Sequence, residues 1–237
     1  MTPAIVTTDN YLAGFDAFEA ALPAGQPEWL RNLRRRAIAR FREIGLPTAR
    51  KGNEPWKYTN VAPIAETAFA LDGACDASVA RLRRAAPWDD SWATAVFLNG
   101  RHAPVLSSSP EGVCVLDLAG AVLSQGGLVS EHLARHASFE DDGFTALNTA
   151  FLDGGAFVDV PAGVTVETPL HLVFASAGDG GPLVSYPRTL IVAGENSRVT
   201  IIETYVGLTS ARRFTDSVTE IVLGDGAQVE HYRILVE

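Results

Sequence analysis

Apolar side chains recur at helical spacing near the start of the chain and at strand spacing through its last third. Leu12, Phe15, Phe18 and Leu22 fall on one face of a helix that Pro23 stops, since proline lacks the N–H a helix interior needs. A second helix is predicted from Pro27, a residue suited to a first helical turn. Its apolar stripe is Trp29, Leu33, Ala37, Phe41 and Ile44, while Arg31, Arg34, Arg35 and Arg42 point elsewhere. Gly45 and Pro47 end it. The string RKGNEPWKYTNV, residues 50–61, is too broken for either period.

Farther on, Ala93–Leu98 and Arg101–Leu106 flank Asn99-Gly100. That dipeptide tolerates the positive φ values of a tight turn, so a β-hairpin is predicted. Two short helical patterns follow, at about 127–136 and 143–152.

From Gly155 the helical period disappears, and β-branched runs alternate with Gly, Pro and Asn turns. The runs are AFVDV, VTVE, PLHLVFAS, PRTLIVAG, RVTIIETYVG, SVTEIVLG and QVEHYRILVE. Thr189, Ile191, Val192, Gly194, Val199 and Val206 recur 30 residues later as Thr219, Ile221, Val222, Gly224, Val229 and Val236. The turn repeats as well: Gly194-Glu195-Asn196-Ser197 against Gly224-Asp225-Gly226-Ala227. An antiparallel sandwich also gives short strands and turns but does not require the corner to recur in register. The repeat therefore favours a mainly β chain, a right-handed parallel β-helix preceded by an amino-terminal α-helical and α+β region.

Charge and composition narrow the function classes. Residues 31–57 carry nine Lys/Arg against Glu43 and Glu54, whereas the 180 residues after them carry ten against 22 acids. A nucleic-acid binder concentrates positive charge over a whole domain, so none is expected. The basic segment is a solvated helix face or a docking surface for an acidic partner or for the chain's own acidic half. No run approaches the roughly 18 apolar residues of a membrane span, and Met1–Asn10 lacks the pattern of a signal peptide. A cytoplasmic protein is expected. Cys75 and Cys114 form no CxxC pair and read as small buried hydrophobes.

Candidate chemistry is sparse. His102, His132, His136, His171 and His231 are the whole histidine stock. His132 and His136, one helical turn apart, have chelating spacing, but Glu131 precedes them, so the pattern is not HExxH and reads as an exposed helix face. His171 and His231 sit in strand runs as scaffold histidines. Glu54–Thr59 is the most distinctive string: Trp56 and Tyr58 form either a recognition patch beside Lys57 or, the favoured reading, two anchors of an irregular segment. There is no GxSxG, phosphate loop or GxGxxG after a strand, and lysine occurs only at Lys51 and Lys57. No catalytic, cofactor-binding or metal residue is assigned.

Several strings resemble the SufB/SufD family of iron–sulfur cluster assembly scaffolds, on its SufD side. They are Gly45-Leu46-Pro47-Thr48, Glu54-Pro55-Trp56-Lys57-Tyr58-Thr59, Phe97-Leu98-Asn99-Gly100-Arg101, Ala146-Leu147-Asn148-Thr149-Ala150-Phe151, Gly154 through Val164, and Pro187-Arg188-Thr189-Leu190-Ile191-Val192. The resemblance implies a β-helix scaffold subunit, non-catalytic by itself, that works with SufB-like and SufC-like (ATPase) subunits in cluster assembly or iron delivery. It implies an iron–sulfur cluster in the assembled complex and no cofactor on this chain alone. It divides the chain into residues 1–139, a helical and hairpin region, and 140–237, a β-helix segment. That segment is expected to stop before the family's carboxy-terminal helical domain and its SufC contact, leaving a terminal edge able to pair two copies. The alternative is a β-helix enzyme acting on a carbohydrate or acyl substrate.

Overall fold

Strands whose apolar residues run on unbroken need cover on both faces, and helices supply half of that cover here. The computed structural model describes residues 9–49, 54–71, 77–178 and 181–236. In chain order the elements are α1 (Asp9–Ala21), α2 (Glu28–Ile44), a 3-10 turn at Glu54–Trp56, α3 (Ala62–Ala65), β1 (Ala70–Leu71) and α4 (Val79–Ala85). Next come β2 (Ala93–Leu98), β3 (Arg101–His102), a 3-10 turn at Pro104–Leu106, β4 (Cys114–Asp117), α5 (Leu118–Ser124), α6 (Gly126–His132) and α7 (Gly143–Ala150). Strands β5 (Gly155–Val160), β6 (Leu170–Ser176), β7 (Leu183–Ser185), β8 (Arg188–Ala193), β9 (Arg198–Gly207), β10 (Arg213–Thr215), β11 (Val218–Leu223) and β12 (Gln228–Val236) follow.

The strands form three sheets, ordered β1-β7-β10, β11-β8-β5-β4 and β12-β9-β6-β2-β3. The thirty-residue echo is a parallel register: Ile191 pairs with Ile221, and Arg198 with Gln228. One step earlier the spacing is wider, with Gly155 on Arg188 and Leu170 on Ile201.

The expectation of a mainly β chain built as a right-handed parallel β-helix is corrected. The fold is mixed α/β, with 32% helix and 30% strand in parallel and mixed sheets, and no β-helix or solenoid is shown. Two strands join antiparallel, β3 on β2 and β4 on β5. The physical reason lies in the cores. On β5, Ala156, Val158 and Val160 face an inter-sheet core with Leu172, Ile191 and Ile201. Phe157 points the other way, joining Leu190 beneath Leu30 of α2 and Leu118 and Val122 of α5. Phe15, Phe41 and Leu147 of α1, α2 and α7 share a third core with Val184, Tyr186 and Phe214. A strand pattern read from residue 155 onward cannot show which helices complete those cores.

The hairpin forms at Asn99-Gly100, with φ of 48° and 84°, but β3 holds only two residues before the turn at Pro104. Beyond it, the Ser107 and Ser108 hydroxyls accept from the β2 amides of Val96 (2.9 Å) and Thr94 (3.0 Å).

Candidate functional site

Strand β9 carries Val199, Ile201 and Tyr205 into the inter-sheet core, and strand alternation sends Glu203 to the same face. Its carboxylate is fully buried. It accepts from the Tyr205 hydroxyl at 3.0 Å and from the Thr219 hydroxyl at 3.0 and 3.1 Å. His231 Nε2 stands 3.6 Å away, an ion-pair distance rather than a hydrogen bond, and Arg233 Nε stands at 4.0 Å. The Arg233 guanidinium also lies 4.9 Å over the Tyr205 ring. Burial pushes the Glu203 carboxyl up, but His231 and the hydroxyls outweigh it and hold the group below its ordinary value. Chemically this is a charged anchor locking β12 and β11 onto β9.

A second polar knot sits where α7 meets β8 and β11. Arg188 donates to Glu220 through Nε (3.1 Å) and Nη2 (2.7 Å), and through Nη1 to Asn148 Oδ1 (3.1 Å). Glu220 also accepts the backbone N–H groups of Ala134, His136 and Ala137 at 2.9, 2.9 and 3.1 Å. Asn148 Nδ2 bonds the carbonyls of Pro187 (3.2 Å) and Asp216 (2.8 Å). Asp216 is itself buried, with one carboxyl oxygen lacking a partner, and burial pushes its carboxyl far above the ordinary range. Sequence reasoning passed over this knot. Its signal was Arg188 within PRTLIV and Asn148 within ALNTAF, polar residues in otherwise apolar runs.

The structure scatters the residues singled out in the sequence. His132 and His136 lie with ring centroids 6.1 Å apart. Among the described residues no group of three or more His, Cys, Asp or Glu converges as a metal site. His102 packs on Phe97. His171 is buried against Trp92, its Nε2 2.8 Å from the Thr204 hydroxyl, and burial pushes its pKa down to about 4. Of the predicted histidines only His231 joins a charged partner's cluster. Cys114 is half-buried on β4, its thiol pushed up by burial and by Asp159. Cys75, Lys51 and residues 1–8 lie outside the described residues.

Glu54–Thr59 divides its two aromatics. Trp56 packs on Phe144 at 5.2 Å, whereas Tyr58 is 90% exposed. Lys57 lies over the Tyr58 ring and 3.5 Å from Glu54. On basic α2, Arg35 pairs with Glu19, and Arg40 pairs with Glu43 and Glu140. Much of that face therefore answers to the chain's own acids.

Two family descriptions match along nearly the whole chain: the SufBD protein N-terminal region over residues 5–172, and the SUF system FeS cluster assembly SufBD core domain over residues 174–237. The chain belongs to the SufBD family. An iron-sulfur cluster assembly SufBD family protein of Synechocystis is 30% identical over 232 residues, covering 91% of this chain and 49% of the relative. SufD of Bacillus subtilis is 27% identical over 216 residues, covering 87% and 48%. SufB of Bacillus subtilis is 32% identical over 128 residues, covering 52% and 26%. The chain thus spans about half the length of the first two of these relatives. Among the described residues no helix is long and apolar enough to cross a membrane.

Proposed function

We propose that this SufBD chain is a scaffold subunit in iron–sulfur cluster assembly, non-catalytic by itself, acting through contacts with SufB-like and SufC-like (ATPase) subunits in the cytoplasm. The cluster is cargo of the assembled complex rather than a group resident on this chain. The observation that carries the reading is the match of residues 5–172 and 174–237 to the SufBD N-terminal and core descriptions. The names of the relatives supply the class of assembly.

The test is co-expression of the chain with a SufB-like and a SufC-like subunit, followed by size-exclusion chromatography and anaerobic reconstitution. Co-elution with the SufB-like subunit is expected, together with stoichiometric cluster absorbance only when partners are present. A chain that elutes apart from both subunits, or that holds a full cluster alone and loses it with Cys114→Ser, would sink the proposal.

A further inference from the structure

A groove of about 350 Å³ runs between α2 and the stretch from Ser130 to Phe139. Its walls are apolar, with Trp29 and Leu33 on α2 and Leu133 and Phe139 opposite. The charged residues lining it are Arg36 and Arg135, and no carboxylate lines it. Both arginines are exposed at the rim. The Arg36 guanidinium lies 5.6 Å over the Phe139 ring, which keeps it at the mouth of the groove. Glu140 stands 3.7 Å from Arg36, at ion-pair rather than hydrogen-bond distance. Among the described residues no carboxylate lies within 4.0 Å of Arg135.

The Arg135 side of the rim is fixed from beneath. Ala134 has a φ of 59°, a left-handed conformation that a residue with a Cβ rarely adopts. The buried Glu220 carboxylate holds it there, accepting the N–H groups of Ala134, His136 and Ala137. Glu220 is in turn locked to Arg188. A strained turn tied to the core presents Arg135 in one place, and a pre-organised rim loses little entropy when something docks.

This composition is that of a contact surface. Trp, Phe and Arg are enriched where protein surfaces meet, and Trp beside Arg is a common energetic centre. The groove is larger than the roughly 150 Å³ that holds a benzene ring. It has room for one large side chain and the main chain flanking it. Charge selects the rest. The whole chain carries −9, so an acidic partner is repelled by most of the surface and drawn to this rim. A nucleic acid needs a basic face the size of a domain instead.

We propose that this groove docks an acidic segment of a partner polypeptide. One large apolar side chain of that segment sits against Trp29, Leu33 and Leu133, and its carboxylates meet Arg36 and Arg135. The proposal deepens the scaffold reading by naming the chemistry of one contact, and rests on that reading for the partner. Co-elution with a SufB-like subunit tests the reading, and a peptide titration tests the groove without any subunit.

The probe is a peptide with one phenylalanine between two pairs of glutamates, capped at both ends. It is titrated into the full chain, labelled with nitrogen-15, at about pH 7.5. The indole N–H resonance of Trp29, assigned by its loss in Trp29→Phe, is expected to shift saturably. Those of Trp56, Trp88 and Trp92 stay in place. Replacing the peptide's phenylalanine by serine, or its glutamates by glutamines, should weaken binding at least about fivefold. Arg135→Glu, at an exposed position, should weaken it by a similar factor. Arg84→Glu makes the same change in net charge on α4, which packs on a separate core, and should leave binding unchanged. No saturable Trp29 shift, an equal shift with the glutamine peptide or a short single-stranded DNA, or equal losses from Arg135→Glu and Arg84→Glu would each overturn the proposal.

Discussion

Arg188 Nη2 stands 2.7 Å from Glu220 Oε2, with neither side chain exposed. The pair bridges β8 and β11 diagonally, and Glu220 simultaneously gathers three backbone N–H groups from the segment after α6. Removing one partner of such a pair strands the other charge in the core. Glu220→Ala is expected to cost about 3–5 kcal/mol in chemical denaturation, and Arg188→Met with Glu220→Leu together much less. Equal losses for the single and double variants would show that packing, not charge, is what matters there.

Acid should weaken the fold from two directions. Burial pushes the Glu220 and Glu203 carboxyls up, but their cationic and hydrogen-bonding partners hold both below the ordinary value. Their contribution is therefore complete above the unfolded-state pKa and lost as pH falls through the lower folded value. His171 acts earlier. Its folded pKa of about 4 lies below the unfolded 6.5, so the unfolded chain takes up the proton first and stability declines as pH falls from 6.5 towards 4. The full effect is about 3 kcal/mol. His171→Phe should flatten the pH 5–7 part of the stability profile and leave the part below pH 4 in place. A profile unchanged by that substitution refutes the assignment.

The two aromatics of the Glu54–Thr59 string should separate by experiment. Trp56→Ala removes the packing on Phe144 and is expected to cost about 2 kcal/mol. Tyr58→Ala, at an exposed ring, should stay within about 0.5 kcal/mol. If Tyr58→Ala nevertheless lowers co-elution with a SufB-like subunit, the exposed ring is a contact. A large thermal destabilisation by Tyr58→Ala is the contrary result.

Helices α2 and α7 approach each other closely because Gly143 has no side chain. A Cβ there would sit 1.9 Å from the Gly45 carbonyl oxygen, which is backbone and cannot turn aside. Gly143→Ala is expected to lose about 1–3 kcal/mol. Gly120→Ala, which meets nothing, should gain a few tenths to about 1 kcal/mol from helix propensity. Melting both variants beside the parent decides the matter.

What could be read from the sequence depended on how local the determining physics is. The stripe Leu33, Ala37, Phe41 and Ile44 set α2, and Asn99-Gly100 set its turn, because a few consecutive residues decide each. The thirty-residue echo gave the register of Ile191 on Ile221 because parallel strands repeat the same side chains at a fixed offset. The class of the fold was not legible. Phe157 and Leu190 look like strand residues of an all-β core, and nothing adjacent to them says that Leu30 and Leu118 will cover them. The polar knots were illegible for the same reason: Asn148 is paired with Arg188, 40 residues away. Helical period sets Arg34 among the outward arginines of α2, yet it is buried and donates to the Leu152 carbonyl, 118 residues away, which no local pattern shows.

The stepwise register has a consequence for how this sequence can vary in length. In the pairs β7–β10, β8–β11 and β9–β12 each residue stands 30 positions from its partner, in all three sheets at once. A deletion of one residue inside β9 would reverse the facing of every side chain after it in that strand, turning Glu203 or its successors outward. The same deletion in the turn after Pro161 is harmless by comparison, because the earlier step already runs wider, Gly155 to Arg188 and Leu170 to Ile201, and takes up the difference outside the strands. Natural length differences among relatives should therefore gather at the corners that precede β6 and β7, and the spacing from β8 to β11 should be nearly invariant, as the pitch of a screw is.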